Sequence, residues 1–268
     1  MSFLFGVKAG WYDVYTMLKL NVDLVEIFIG KRDLIEYNDK TIEIFTGVLE
    51  NYNVNAVVHA PEYYEDFLVD IASTDVALRN KSIKALQETI NFAEQLGIKH
   101  IIIHPGGISL KPLDKSQLLK NLKKSLSELN YKRFWLENMP WFYWLENGKL
   151  AKSHICVEAT DFTELIDEIE GITFDLCHAY LSTKEGGNDK LNYMTDQLKN
   201  YIKHIHVSDA RAPYHEGLQI GIGDIDFRIM KELPSGIGIV PEIENGYEND
   251  GLGFKIALEK LKYIVKSL

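Results

Sequence analysis

Eight short apolar runs, each followed by a stretch of helical periodicity, constrain this chain more than any other feature. The runs are Phe3 to Val7, Asp23 to Ile29, Asn55 to His59, Ile98 to His104, Arg133 to Glu137, Ile172 to Phe174, Ile202 to Val207 and Ile237 to Glu242. Their β-branched and aromatic content marks them as strands, and Ile98 to His104 is apolar enough for a parallel strand covered on both faces. Helices are predicted over Trp11 to Leu20, about Asn38 to Asn51, and about Val76 to Leu96, where Gly97 stops the run. Further helices are predicted over Lys115 to Leu129, about Phe162 to Ile169, Asp189 to Asn200, Phe227 to Leu233 and Leu252 to Val265. Eight strand–helix units predict an α/β fold: a single (β/α)8 TIM barrel, with residues 1–268 as one domain. A doubly wound open sheet rarely holds so many units in so short a chain.

Composition narrows the setting. A chain of 268 residues can bury one large core. It has no run of 18 apolar residues and no basic-then-apolar leader, so neither a membrane span nor a signal peptide is expected. Cys156 and Cys177 make no disulfide framework, which suits a reducing cytosol and a cytoplasmic protein. The net charge of −10, without a Lys/Arg block, argues against a long nucleic-acid footprint. Bound metal ions would nevertheless make a site far more positive than the sequence suggests.

A barrel collects its chemistry at the carboxyl ends of its strands. The third strand ends in His59, the fourth in His104 and the fifth in Glu137. The sixth ends in Asp175 with His178 three residues on, the seventh carries His204 and His206, and the eighth Glu242 and Glu244. Six successive strands ending in His, Asp or Glu would converge those groups on the barrel axis, where bare carboxylates are costly to desolvate. One or two divalent cations would resolve that cost. His206 is expected to point inward, with His204 packed under a helix. Glu26 is expected to face the barrel interior as a hydrogen-bonding group, and Cys177 to be a buried filler.

These residues resemble the xylose-isomerase-like TIM barrels. That superfamily groups sugar isomerases and epimerases with the endonuclease IV enzymes (AP endonuclease family 2), which cut DNA at abasic sites. The resemblance covers about residues 55–245. It rests on His59-Ala-Pro61, Asp70-Ile-Ala-Ser73 with Ser82-Ile83, Leu96-Gly97, His104-Pro-Gly106 and Glu137-Asn138. Asp175-Leu-Cys-His178, His206-Val-Ser-Asp209 and Gly221-Ile-Gly-Asp-Ile-Asp226 complete it. In the isomerases and epimerases it implies one divalent metal (Zn, Mn or Mg) on Glu137, Asp175, His206 and Glu242. Glu137 and Glu242 would then transfer protons, and His178 would contact substrate. In the endonuclease pattern Glu137 also bridges to a further zinc on His59 and His104. A third zinc there uses the position of His178 with an Asp-Arg-His triplet after the seventh strand. This chain reads Pro213-Tyr214-His215 at that place, or His215-Glu216-Gly217 counted back from Gly221, so the triplet is incomplete.

The resemblance implies a divalent-metal-dependent isomerase or epimerase acting on a sugar, a sugar phosphate or a related polyol ketone through an enediolate. The alternative is zinc-dependent phosphodiester hydrolysis at abasic sites, and a third reading is a metal-binding barrel without turnover. The expected partner is a small carbohydrate, with no membrane and no long nucleic-acid contact. In the aromatic run Trp141 to Trp144, stacking of Trp141 on a sugar face and plugging of a loop are equally open. Arg211 and His215 stand where a substrate hydroxyl or phosphate could be held.

Overall fold

Successive strands pair in parallel until the eighth returns to the first, in a computed structural model that describes residues 2–268. The barrel strands are β1 (Leu4–Ala9), β2 (Leu24–Phe28), β3 (Asn55–His59), β4 (Ile101–Ile103), β5 (Phe134–Glu137), β6 (Gly171–Asp175), β7 (Ile202–Val207) and β8 (Gly238–Pro241). Closure comes from Leu4 beside Gly238 and Phe5 beside Ile239. The expected (β/α)8 barrel is therefore the fold. Every residue of β4 and β6 is buried, which explains their unbroken apolar character.

The main outer helices are α1 (Val14–Leu18), α2 (Asp39–Tyr52), α3 (Val76–Gln95), α4 (Lys115–Leu129), α5 (Asn188–Leu198) and α6 (Glu248–Ser267). Local chemistry sets their ends. Asn38, Asp75 and Asp114 accept hydrogen bonds from the first free N–H groups of α2, α3 and α4, and left-handed Asn53 and Asn130 stop α2 and α4. The helix expected over Trp11 to Leu20 shrinks to α1, because Asp13 accepts from the Gly10 N–H and ties the entry into a turn. The one expected over Phe162 to Ile169 breaks into Ala159–Phe162 and a 3-10 turn at Ile166–Glu168. β-Branched Thr160, Thr163, Ile166 and Ile169 lower its helical propensity.

Strand alternation fills the barrel interior in layers. Leu24, Val57, Ile102, Trp135 and Val240 form a buried plug. Residues two positions on share a strand face, so the next layer carries Glu26, His59, His104, Glu137 and Glu242. On β1 the plug layer holds Gly6, where a Cβ would stand 2.8 Å from Val240 Cγ2, and the layer above holds Lys8. Walls above the site come from small hairpins in the loops, pairing Tyr63–Tyr64 with Phe67–Leu68 and Asp209–Arg211 with His215–Leu218. A three-stranded patch of Ile108–Ser109, Phe142–Trp144 and Leu150–Ser153 adds to them.

Candidate metal centre at the barrel mouth

Glu137 sits at the middle of the cluster, and its two oxygens face different partners. Oε2 lies 3.4 Å from His59 Nε2 and 3.3 Å from His104 Nε2, while Oε1 lies 3.2 Å from His178 Nδ1 and 3.4 Å from His206 Nδ1. Potential ligand atoms of Glu137, Asp175, His206 and Glu242 all fall within 4.8 Å of one another. Those of His59, His104 and Glu137 do the same, so one carboxylate is common to two sets. Among the described residues, both Glu137 oxygens and His206 Nδ1 are buried without a hydrogen-bond partner. Orphaned acceptors of that kind, surrounded by imidazole nitrogens and further carboxylates, are what a divalent cation satisfies.

Hydrogen bonds outside the cluster set the imidazole tautomers. His59 Nδ1 donates to the Ala60 carbonyl at 2.8 Å, which leaves Nε2 as the lone pair facing Glu137. His206 Nε2 donates to Glu26 Oε2 at 2.8 Å, leaving Nδ1 for the cluster. His178 Nδ1 reaches the Asn138 carbonyl at 2.9 Å and turns Nε2 toward Glu216, 3.7 Å away. Asp175 also caps the short helix Leu176–Tyr180, accepting from the His178 N–H at 2.8 Å.

Electrostatics keep Glu137 and Glu242 ionised. Burial pushes the Glu137 carboxyl up, but His206 and His104 outweigh it and hold Glu137 well below the usual carboxylate range. Burial likewise opposes the charge on Glu242, yet His206 and Lys8 bring it down to about 2. Asp175 goes the other way: burial raises it, and His178 offsets only part of the effect. Burial with nearby Asp175 and Glu62 pushes Glu216 up to about 7.

Above the cluster opens a cavity of about 690 Å³. His104, Asp175, His178, His215 and Glu242 line it, as does Glu244. Arg211 does not: it turns away to the Ile222 carbonyl and Asp224. Nor does Trp141, whose ring lies under the Lys152 ammonium at 3.9 Å; Tyr143 and Trp144 of the same run face the cavity instead. Cys177 is a buried filler whose thiol burial drives well up.

The expected place of His204 needs correcting. It does not pack under a helix: its Nε2 donates to Glu26 Oε2 at 2.9 Å and its ring stacks on Trp135. Positions i and i+2 of a strand share a face, so His204 and His206 both point inward, in successive layers. Glu26 faces the interior as expected and holds both imidazoles.

Lys8, Glu62, Tyr143 and Glu216 also belong to the site; sequence reasoning reaches Tyr143 only as part of the aromatic run and Glu216 only within the altered triplet, and it misses Lys8 and Glu62. Lys8 carries a signal, since it shares strand phase with Gly6 and sits level with Glu26 across β1 and β2. Glu62 stands on a loop, and Tyr143 and Glu216 on short strands of the loop hairpins, where the alternation of the barrel strands gives no direction.

Fold and site together define a TIM-barrel enzyme whose mouth offers ligands for a divalent metal. The chain belongs to the xylose isomerase-like TIM barrel family, whose profile matches residues 15–264. It is 31% identical over 247 residues to apurinic-apyrimidinic endonuclease 1 of Saccharomyces cerevisiae. That alignment takes in 83% of this chain and 64% of the yeast protein. A solved D-tagatose 3-epimerase-like protein superposes with a TM-score of 0.73 at 24% identity, over 98% of this chain and 99% of that one. Endonuclease IV from Thermus thermophilus superposes with a TM-score of 0.67 at 17% identity, over 99% of this chain and 100% of its own. At these identities both solved structures attest the fold alone. No helix among the described residues is long and apolar enough to cross a membrane.

Proposed function

We propose that the protein is a divalent-metal-dependent isomerase or epimerase of a sugar or related polyol ketone. The observation that carries this reading is the cavity lining: Glu62, Asp175, Glu216, Glu242 and Glu244 stand there, with Lys8 the one lysine or arginine among the described lining residues. Polyol hydroxyls donate to such carboxylates, whereas a polyanionic backbone would meet them as like charges. Tyr143 and Trp144 add aromatic surface for the apolar face of a sugar ring.

A divalent cation held by Glu137, Asp175, His206 and Glu242 would supply Lewis-acid polarisation of the substrate carbonyl. The chain supplies the rest. Glu137 and Glu242, both ionised, remove the proton α to the carbonyl and return it at the other face or the neighbouring carbon. His178 Nε2 and Glu216 face the cavity and orient hydroxyls.

A second reading, phosphodiester hydrolysis at abasic sites, is favoured by one specific arrangement: His59, His104 and Glu137 form a further ligand set. The name of the yeast relative points the same way. Against it, Pro213 and Tyr214 stand before His215 where the triplet has Asp and Arg, and the acid that the loop brings to His178 Nε2 is Glu216, so the Asp-Arg-His triplet is incomplete.

Metal-loaded protein incubated in D2O with a panel of ketoses and ketose phosphates separates the two. The expected result is deuterium incorporation α to the carbonyl of at least one ketose, and no incision of a duplex carrying an abasic analogue. Incision that is lost in His104→Ala, with no exchange across the panel, would transfer the chemistry to the hydrolase. Turnover without exchange would replace proton transfer by a hydride shift.

A further inference from the structure

Lys8 takes no part in the proton transfers above, yet it occupies a ligand atom. Its Nζ lies 2.5 Å from Glu242 Oε1 and 3.9 Å from Glu26 Oε1, with the Phe28 ring centroid at 4.8 Å. Glu242 Oε1 is also the oxygen that faces His206 Nδ1, at 3.6 Å, and so the one aimed into the Glu137–Asp175–His206–Glu242 set. An ammonium and a divalent cation thus want the same lone pairs. Around them stand four carboxylates, Glu26, Glu137, Asp175 and Glu242, in a largely desolvated barrel interior, where uncompensated charge is costly. The four-carbon lysine stem is flexible enough for the head to swing aside.

We propose that Lys8 is a resident counter-cation of the metal centre, holding Glu242 in place until a divalent ion arrives and then ceding Oε1 to it. The proposal rests on the metal centre and is independent of whether the enzyme is an isomerase. It has a sign that a mere brace lacks. A brace for Glu242 would strengthen metal binding, whereas a competing cation weakens it, because two cations at one carboxylate repel.

The test is a Zn2+ titration of the full chain against a competing chelator, with thermal unfolding of the chelator-treated protein alongside. Lys8→Met should bind Zn2+ about tenfold or more tightly than the parent, and should melt at a lower temperature when metal-free. Lys8→Arg keeps the charge and should bind no more tightly than the parent. The gain from Lys8→Met should shrink in a Glu242→Gln background, where the negative charge that both cations contest has gone. Weaker or unchanged affinity in a folded Lys8→Met protein overturns the proposal, as does a gain undiminished by Glu242→Gln. If Lys8→Met does not fold without metal, Lys8→Gln is titrated with the same expectation. Absence of Zn2+ binding by the parent removes the metal centre and the proposal with it, a result distinct from failure of the sugar chemistry.

Discussion

Glu137→Gln loses turnover by about 10²- to 10⁴-fold or more while bound metal remains detectable, because the amide keeps a ligating oxygen and loses the base. The metal will not be held as in the parent. Glu137 presents one oxygen to His59 and His104 and the other to His178 and His206. A glutamine can offer oxygen to one side only and turns its NH2 to the other, so one of the two ligand sets loses a member. Asp175→Ala gives the contrasting result, a drop in metal affinity itself, since it deletes a ligand. Solvent-deuterium exchange and metal content measured on each variant check both. Full activity in Glu137→Gln would show that the site is misassigned.

The second large effect belongs to a residue below the site. Glu26 is fully buried, and its Oε2 accepts from both His204 and His206. Glu26→Ala leaves two buried imidazoles without their acceptor, and removing one partner of a buried charged pair typically costs about 3–5 kcal/mol. It also frees the His206 ring, and loss of such an orienting partner lowers metal affinity by about 10- to 100-fold. The pH dependence has a definite sign. Burial opposes the Glu26 charge, but His206 and the His204 hydrogen bond prevail and hold its carboxyl well below its ordinary 4.5. The stabilisation is therefore complete above pH 4.5 and fades as pH falls below it, so the gap between parent and variant narrows in acid. Denaturant unfolding of chelator-treated protein at several pH values measures it. A Glu26→Ala protein as stable as the parent at neutral pH would refute this role for the layer.

The barrel and its ligands are legible in the sequence because strand alternation carries both. An apolar residue in the plug layer, such as Val57, Ile102 or Trp135, is followed two positions later by His59, His104 or Glu137. The same rule is enough to place His204 beside Trp135, and only a mistaken phase hides it. Lys8 escapes because the apolar run of the first strand closes at Val7, one residue short, and because β1 ends in no acid or imidazole. Beyond the strands that rule stops. Whether Arg211 or Glu216 reaches the cavity is decided by the Asp209–Arg211/His215–Leu218 hairpin, and Trp141 is claimed by Lys152 from a paired strand. Those directions come from contacts between loops, which local periodicity does not encode.

Anomalous diffraction from crystals of the protein grown with Zn2+ tests the metal centre most directly. The expected result is an ion among Glu137, Asp175, His206 and Glu242, about 2.0–2.2 Å from their ligating atoms. Zinc absent from that cluster, with Glu137 still packed among unmetallated histidines, would contradict it.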